Sequence, residues 1–298
     1  MSSDSSKPQS SRDDQQNSTN PFLLAWEPGH FYSPLPSIQN IQAREDKIFA
    51  VPRTIPGVSL NEDSQVRLLN ELTRYYSDQP FQEQKSRTRR YYFDNPNFRH
   101  GEAVLLYCLM RHLKPKRIVE IGSGYSSCAM LDVNEIFFDS SISCTFIEPY
   151  PQLLQSLIRP EDKTRVQIIA QGAQDVDVEV FSNLSEGDIL FVDSSHVCKI
   201  DSDVNHILFN IFPRLKVGVV VHIHDIYYPF EYPKEWVYQG RAWTEAYLIR
   251  AFLQYNNAFR IELFNSFLGH FYRGMLAENM PLCAKNPGSS LWIKRVVP

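Results

Sequence analysis

Five clusters in this chain have the residue types and spacing to do chemistry. The first is Arg117-Ile118-Val119-Glu120-Ile121-Gly122-Ser123-Gly124-Tyr125-Ser126-Ser127. It reads as a short apolar run, a two-glycine turn and the start of a helix. Gly122 and Gly124 let the backbone turn sharply and come close to a ligand, and Ser126 or Ser127 can cap the helix. Glu120 puts a carboxylate at the mouth of the pocket such a turn builds. A dinucleotide fingerprint wants a third glycine near position 127 to make room for pyrophosphate; Ser127 stands there. The pattern therefore suits a ligand carrying positive charge, S-adenosylmethionine (SAM), better than a dinucleotide.

The second cluster, Phe146-Ile147-Glu148-Pro149, ends a predicted strand with a carboxylate that can accept from both hydroxyls of a ribose. The third is Gly187 to His196, where Asp193 emerges from a strand and His196 follows within a turn. Either can orient a substrate hydroxyl or hold a metal. The fourth is His222-Ile223-His224-Asp225; in a strand, residues 222 and 224 share a face. Asp193 and Asp225 then come from two strand tips and offer oxygen ligands suited to Mg²⁺, with His224 or His196 beside them as base or softer ligand. The fifth is the aromatic, proline-stiffened stretch from Asp225 to Tyr238, a lid or a static cover. Arg241, Trp243 and Tyr247 follow it and can line the same pocket.

These residues need a frame. Continuous short apolar runs predict strands at 117–121, 143–148, 166–170, 188–193 and 217–224, each covered on both faces. Helices fit between them at 126–138, 151–158 and 201–213, the last behind Asp201 or Ser202 as cap. A further helix is predicted at 242–255, and two last strands at 260–266 and 291–296 pair antiparallel. The alternation predicts a doubly wound parallel sheet, with its ligand beyond the carboxyl ends of the strands. Upstream, a helix over 98–113 follows one starting near Ser59 or Asn61, where Ser59 and Glu62 fit a capping box.

The bounds are ordinary. The chain has 298 residues, 43% hydrophobic and 21% charged, with net charge −4. That gives a sizeable core and no basic face for nucleic acid. No apolar run is long enough for a membrane span, and no secretory signal pattern opens the chain. Cys108, Cys128, Cys144, Cys198 and Cys283 lack metal-site or disulfide spacing and read as reduced thiols of a cytoplasmic protein. Residues 1–20 read as a disordered tail, 21–97 as an N-terminal arm and helical cap, and 98–298 as the catalytic domain.

Taken as a set, Glu120-x-Gly122-x-Gly124, Glu148 and Asp193 resemble the motifs of class I SAM-dependent methyltransferases. The stretches 121–127, 146–151, 187–197 and 224–243 look most like the methyltransferase domain 24 branch, over roughly residues 90–296. The resemblance implies a Rossmann-like seven-stranded sheet with the last strand antiparallel. It implies that Glu120 and the turn of Gly122, Ser123 and Gly124 hold the methionine end, that Glu148 holds the ribose, that Ser126 and Asp193 belong to the same cofactor site, and that Ala173, Gln174 and Asp175 are the candidates to meet adenine. Catechol-type members hold Mg²⁺ with acids at the tips of strands four and five; Asp193 and Asp225 match, while His224 stands where an acid is usual. The expected activity is methyl transfer to an oxygen of a small molecule, with His196 or His224 as base, Asp193 beside it, and the possibility of a homo-oligomer. The rivals are an iron-dependent oxygenase using His222, His224 and an aspartate, a NAD-dependent oxidoreductase, and a non-catalytic SAM-binding module.

Overall fold

The computed structural model describes residue 22 and residues 25–297; the tail expected over 1–20 lies outside the described residues. The chain divides into two compact units. One comprises the residues up to Ala50 together with Pro233–Ala242, and the other comprises Val51–Tyr232 and Trp243 onward.

In the first unit, Ser37 caps the helix Ile38–Gln42 by accepting from Asn40 N at 3.2 Å. Glu45, in the helix Glu45–Ile48, takes Lys234 Nζ at 2.6 Å and the Tyr238 hydroxyl, both from the helix Lys234–Tyr238.

The second unit holds the sheet. Its strands are β1 (Arg117–Ile121), β2 (Ser143–Ile147), β3 (Gln167–Ile169), β4 (Ile189–Val192), β5 (Val220–Ile223), β6 (Phe259–Phe264) and β7 (Leu291–Arg295). They lie in the order β3-β2-β1-β4-β5-β7-β6. The first five are parallel, and β7 runs antiparallel to both β5 and β6. β4 and β5 are buried throughout, as strands with helices on both faces must be. β7 lies between β5 and β6 because Leu291, Trp292 and Ile293 are all buried. β6 takes the edge, where Arg260 pairs with Glu262 at 2.7 Å on the polar side of its alternation. The chain reverses order between β1 and β4, the switch point at which doubly wound sheets bind ligands.

Residues 51–97 pack as part of this sheet unit. The helix Glu62–Tyr76 buries Leu69 and Leu72, and its Gln65 accepts from Phe264 N of β6 at 2.8 Å and donates to Leu60 O at 2.7 Å. The capping box expected from Ser59 and Glu62 does not form. Asn61 precedes the helix with φ 49, Ser59 turns to the Asn61 side chain, and the Glu62 carboxylate goes to Arg53 and Tyr272. The helix expected at 201–213 starts where Ser202 accepts from Asn205 N, runs Asp203–His206, widens into a π turn over Ile207–Ile211 and tightens over Phe212–Arg214. Pro213 has no N–H to continue the ladder. All five cysteines are free thiols, four of them buried. Among the described residues no helix is long and apolar enough to cross a membrane.

Candidate functional site

The turn after β1 is wedged between two neighbouring strand tips. Gly122 N donates to Ile147 O at 2.9 Å, and Asp193 N donates to Ile121 O at 2.8 Å. Gly122 has φ +80, and a Cβ there would lie 2.1 Å from the Asp193 carbonyl oxygen. Only glycine meets both conditions.

Glu120 is not where the sequence reading put it. Its side chain is fully buried beneath the turn, and it is not among the residues that line the cavity described below. Ser126 Oγ donates to it at 2.5 Å, Ser127 Oγ donates to its other oxygen, and Ser127 also accepts from Gly124 N at 3.0 Å. Burial drives its pKa up to about 8 despite the two hydroxyls. The residue thus ties the turn to the first turn of the helix Tyr125–Phe138 and lies off the cavity wall. Ser127, absent from the expected site, serves this tie. Ser123 Oγ is buried without a hydrogen-bond partner.

A cavity of about 410 Å³ opens at the switch point, beyond the carboxyl ends of β1 to β4. That falls in the usual range for small-molecule sites, about 300–1,000 Å³. Gly122, Glu148, Ala173, Gln174 and Asp193 of the expected set line it. Ser123, Gly124, Ser126 and Asp175 do not, and Asp175 is exposed. Sequence reasoning missed Ser195, Lys199, Asp201 and Asp203 on the wall. The Asp203 carboxylate accepts from Ser195 N at 2.7 Å and Ser195 Oγ at 2.5 Å. Glu148 is half-buried and accepts from Tyr150 N at 2.8 Å, leaving lone pairs toward the cavity. Gln174 Oε1 is a buried oxygen with no hydrogen-bond partner on this wall.

Behind Asp193 lies a cluster of acids and imidazoles. His196 Nδ1 is 2.8 Å from Glu245 Oε2, and its Nε2 is 3.4 Å from Asp193 Oδ1 and 3.8 Å from Asp225 Oδ2. His224 Nε2 is 3.6 Å from Asp225 Oδ1, and its Nδ1 is 3.7 Å from Glu102 Oε1. Ser194 Oγ donates to Glu245 at 2.8 Å, and Ser289 Oγ donates to Asp225 at 2.8 Å. Burial works against a charged His196, yet the bonds to Asp193 and Glu245 outweigh it and raise its pKa to about 10. For His224, burial is outweighed by the charges of Asp225, Asp193 and Glu102, which lift it to about 9. In return the two imidazoliums hold Asp193 below its ordinary range against its own burial.

Two expectations meet a different geometry here. His196 and His224 are both buried and neither lines the cavity, and the carboxylates around them raise both pKa values. The expected metal set of Asp193, Asp225 and His224 does not assemble: among the described residues no group of three His, Cys, Asp or Glu side chains is placed to hold a metal ion. His196 lies between the two aspartates instead. The rival iron reading meets the same finding. His222 is fully buried, stacked on Phe191 at 3.7 Å, and burial holds its pKa well down. Tyr228, Phe230 and Tyr232 of the aromatic stretch are core residues; the Tyr228 hydroxyl donates to Pro52 O at 2.7 Å. Glu102 and Glu245 were missed. The one signal was an acid in the first turn of an otherwise apolar helix, which reads equally as a favourable dipole contact.

A doubly wound sheet with a cavity at its switch point, walled by carboxylates from β2 and β4, defines a Rossmann-like class of fold. Within it, residues 119–226 match the model of a methyltransferase-domain family. An uncharacterized protein of Archaeoglobus fulgidus is 36% identical over 165 residues, covering 53% of this chain and 73% of that one. The chain belongs to this methyltransferase-domain family. Its fold is similar to that of the SAH-bound methyltransferase PaMTH1 of Podospora anserina (17% identity, 88% of this chain and 98% of that one, TM-score 0.44). It is also similar to the O-methyltransferase TomG of Streptomyces achromogenes in complex with SAM (15% identity, 77% and 89%, TM-score 0.44).

Proposed function

We propose that this chain transfers the methyl group of SAM to an oxygen of a small molecule. The observation that carries the reading is the cavity wall itself, where Glu148 at the tip of β2, Gln174 after β3 and Asp193 at the tip of β4 share one space. Glu148 accepts from the ribose hydroxyls. Gln174 Oε1, otherwise without a partner, accepts from the amino group of adenine. Asp193, Asp201 and Asp203 outnumber Lys199 on the remaining wall, which favours a donor carrying a sulfonium and an ammonium. Bound SAM supplies an electrophilic methyl carbon; the protein's part is to align an acceptor oxygen behind it and exclude water.

Glu120 acts as a positioning residue, since it holds the turn and not the donor. His196 and His224 keep Asp193 ionised and present positive charge behind it. With both imidazoles buried among carboxylates and off the cavity wall, the acceptor is best an acidic hydroxyl, phenol-like or carboxylic, that arrives ionised or loses its proton readily. Calorimetry with SAM and S-adenosylhomocysteine tests the reading. Both bind the wild type, and Glu148→Ala weakens each by about 10- to 100-fold, the size of one lost hydrogen bond to a charged group. If neither ligand binds the wild type, the reading is wrong.

A further inference from the structure

We propose that the imidazole of His196 holds, between the tip carboxylates of β4 and β5, the position that a divalent cation takes in catechol-type methyltransferases, so that this chain moves its methyl group without a bound metal. Three carboxylates converge on this one ring. Glu245 meets Nδ1 at 2.8 Å, and Asp193 and Asp225 face Nε2 at 3.4 and 3.8 Å. The Trp243 ring packs on the imidazole with centroids 4.4 Å apart.

The ring is also latched through the backbone. His196 has φ 60, and its carbonyl accepts from Thr244 N at 2.9 Å and Glu245 N at 3.1 Å at the start of the helix Glu245–Leu253. The donors that remain are unsuited to Mg²⁺, which demands a near-octahedral set of oxygens at about 2.0–2.1 Å. One oxygen of Asp225 already accepts from Ser289 Oγ at 2.8 Å, and the neighbouring position is His224, a nitrogen donor hemmed in by Glu102 and Asp225. The ring thus fills, by placement alone, the space between the tip acids in which a metal would have to sit.

Only the consequence for methyl transfer rests on the proposed function; the occupancy of the site does not. The test titrates the full-length chain, free and loaded with S-adenosylhomocysteine, with Mn²⁺ followed by its paramagnetic resonance. The expected result is no saturable binding at millimolar Mn²⁺ in either state. The double variant His196→Ala, His224→Glu gains one site, at least about tenfold tighter than any wild-type binding. One equivalent of Mn²⁺ bound by the wild type and lost in Asp225→Asn would overturn the proposal. A double variant that still binds S-adenosylhomocysteine but gains no site counts against it as well. Should the double variant not fold, the wild-type titration decides. Failure of the wild type to bind S-adenosylhomocysteine strikes the proposed function and leaves the Mn²⁺ result standing.

Discussion

Glu120 and Asp193 are carboxylates at the ends of adjacent parallel strands, yet the fold leaves them in opposite states. Glu120 is buried with two serine hydroxyls as partners, and its pKa rises to about 8. Asp193 reaches the cavity with two imidazoliums behind it, and its pKa is held below the ordinary range. Hydroxyls donate hydrogen bonds but no charge, so they cannot offset the loss of water around an ion; a neighbouring cation can. One acid becomes a neutral strut inside a turn, and the other a charged wall of the pocket. The sequence reading placed both in the donor site, because each is a carboxylate near the carboxyl end of its strand.

The sharpest way to break this contrast is at Gly122, where the two strand tips meet. Gly122→Ala forces a Cβ onto the Asp193 carbonyl, displacing both the turn and the pocket wall. Affinity for S-adenosylhomocysteine should fall by about 100-fold, the size of two or more hydrogen bonds lost when the wall moves. An affinity close to wild type would mean that the turn has more room than the geometry allows.

Next in size is the cation behind Asp193. His196→Asn leaves Glu245, Asp193 and Asp225 facing one another without their central charge. Chemical denaturation near neutral pH should register a loss of about 3–5 kcal/mol, the usual consequence of orphaning buried charges. The pH dependence has a definite sign. Because the folded pKa of His196 is raised from 6.5 to about 10, its contribution is complete below pH 6.5 and is lost as pH rises toward 10. The stability gap between wild type and variant should therefore narrow over that window; a constant gap would show that the ring contributes by packing and not by charge.

The smallest effect is expected at Glu120. Its folded pKa is raised from 4.5 to about 8, so the protonated form is favoured in the native state and its contribution fades as pH rises from 4.5 to 8. Glu120→Gln cannot ionise. Relative to wild type its melting temperature should climb by a few degrees, roughly 3–8 °C, between pH 5 and pH 9. A drop over the same range would mean that Glu120 is charged in the fold, as the sequence reading supposed.

How much could be read in advance follows from how local each feature is. The β1–turn–helix segment was legible because one continuous stretch contains all of it, and Gly122 is required by its own φ together with a close approach. Glu148 was legible because a strand end next to proline fixes where its side chain emerges. The helix cap at Ser59 misled because the same pattern competes with a left-handed Asn61, and because Glu62 finds partners at Arg53 and Tyr272. Tyr228 and Phe230 read as a sticky loop, though they are core residues of the sheet unit.

The amino-acid order alone determined the alternating strands and helices, the doubly wound sheet, the turn beside the switch point and the place of Glu148 on the cavity wall. Periodicity, glycine conformation and strand-end position act within a few residues and need no partner. Tertiary structure decided the rest: that β7 enters between β5 and β6, that Glu120 faces inward, and that His196 meets Glu245 while His224 meets Glu102. Those pairs join segments remote in the chain, and the charge an acid or imidazole carries is set by whichever groups the fold brings within a few ångströms of it.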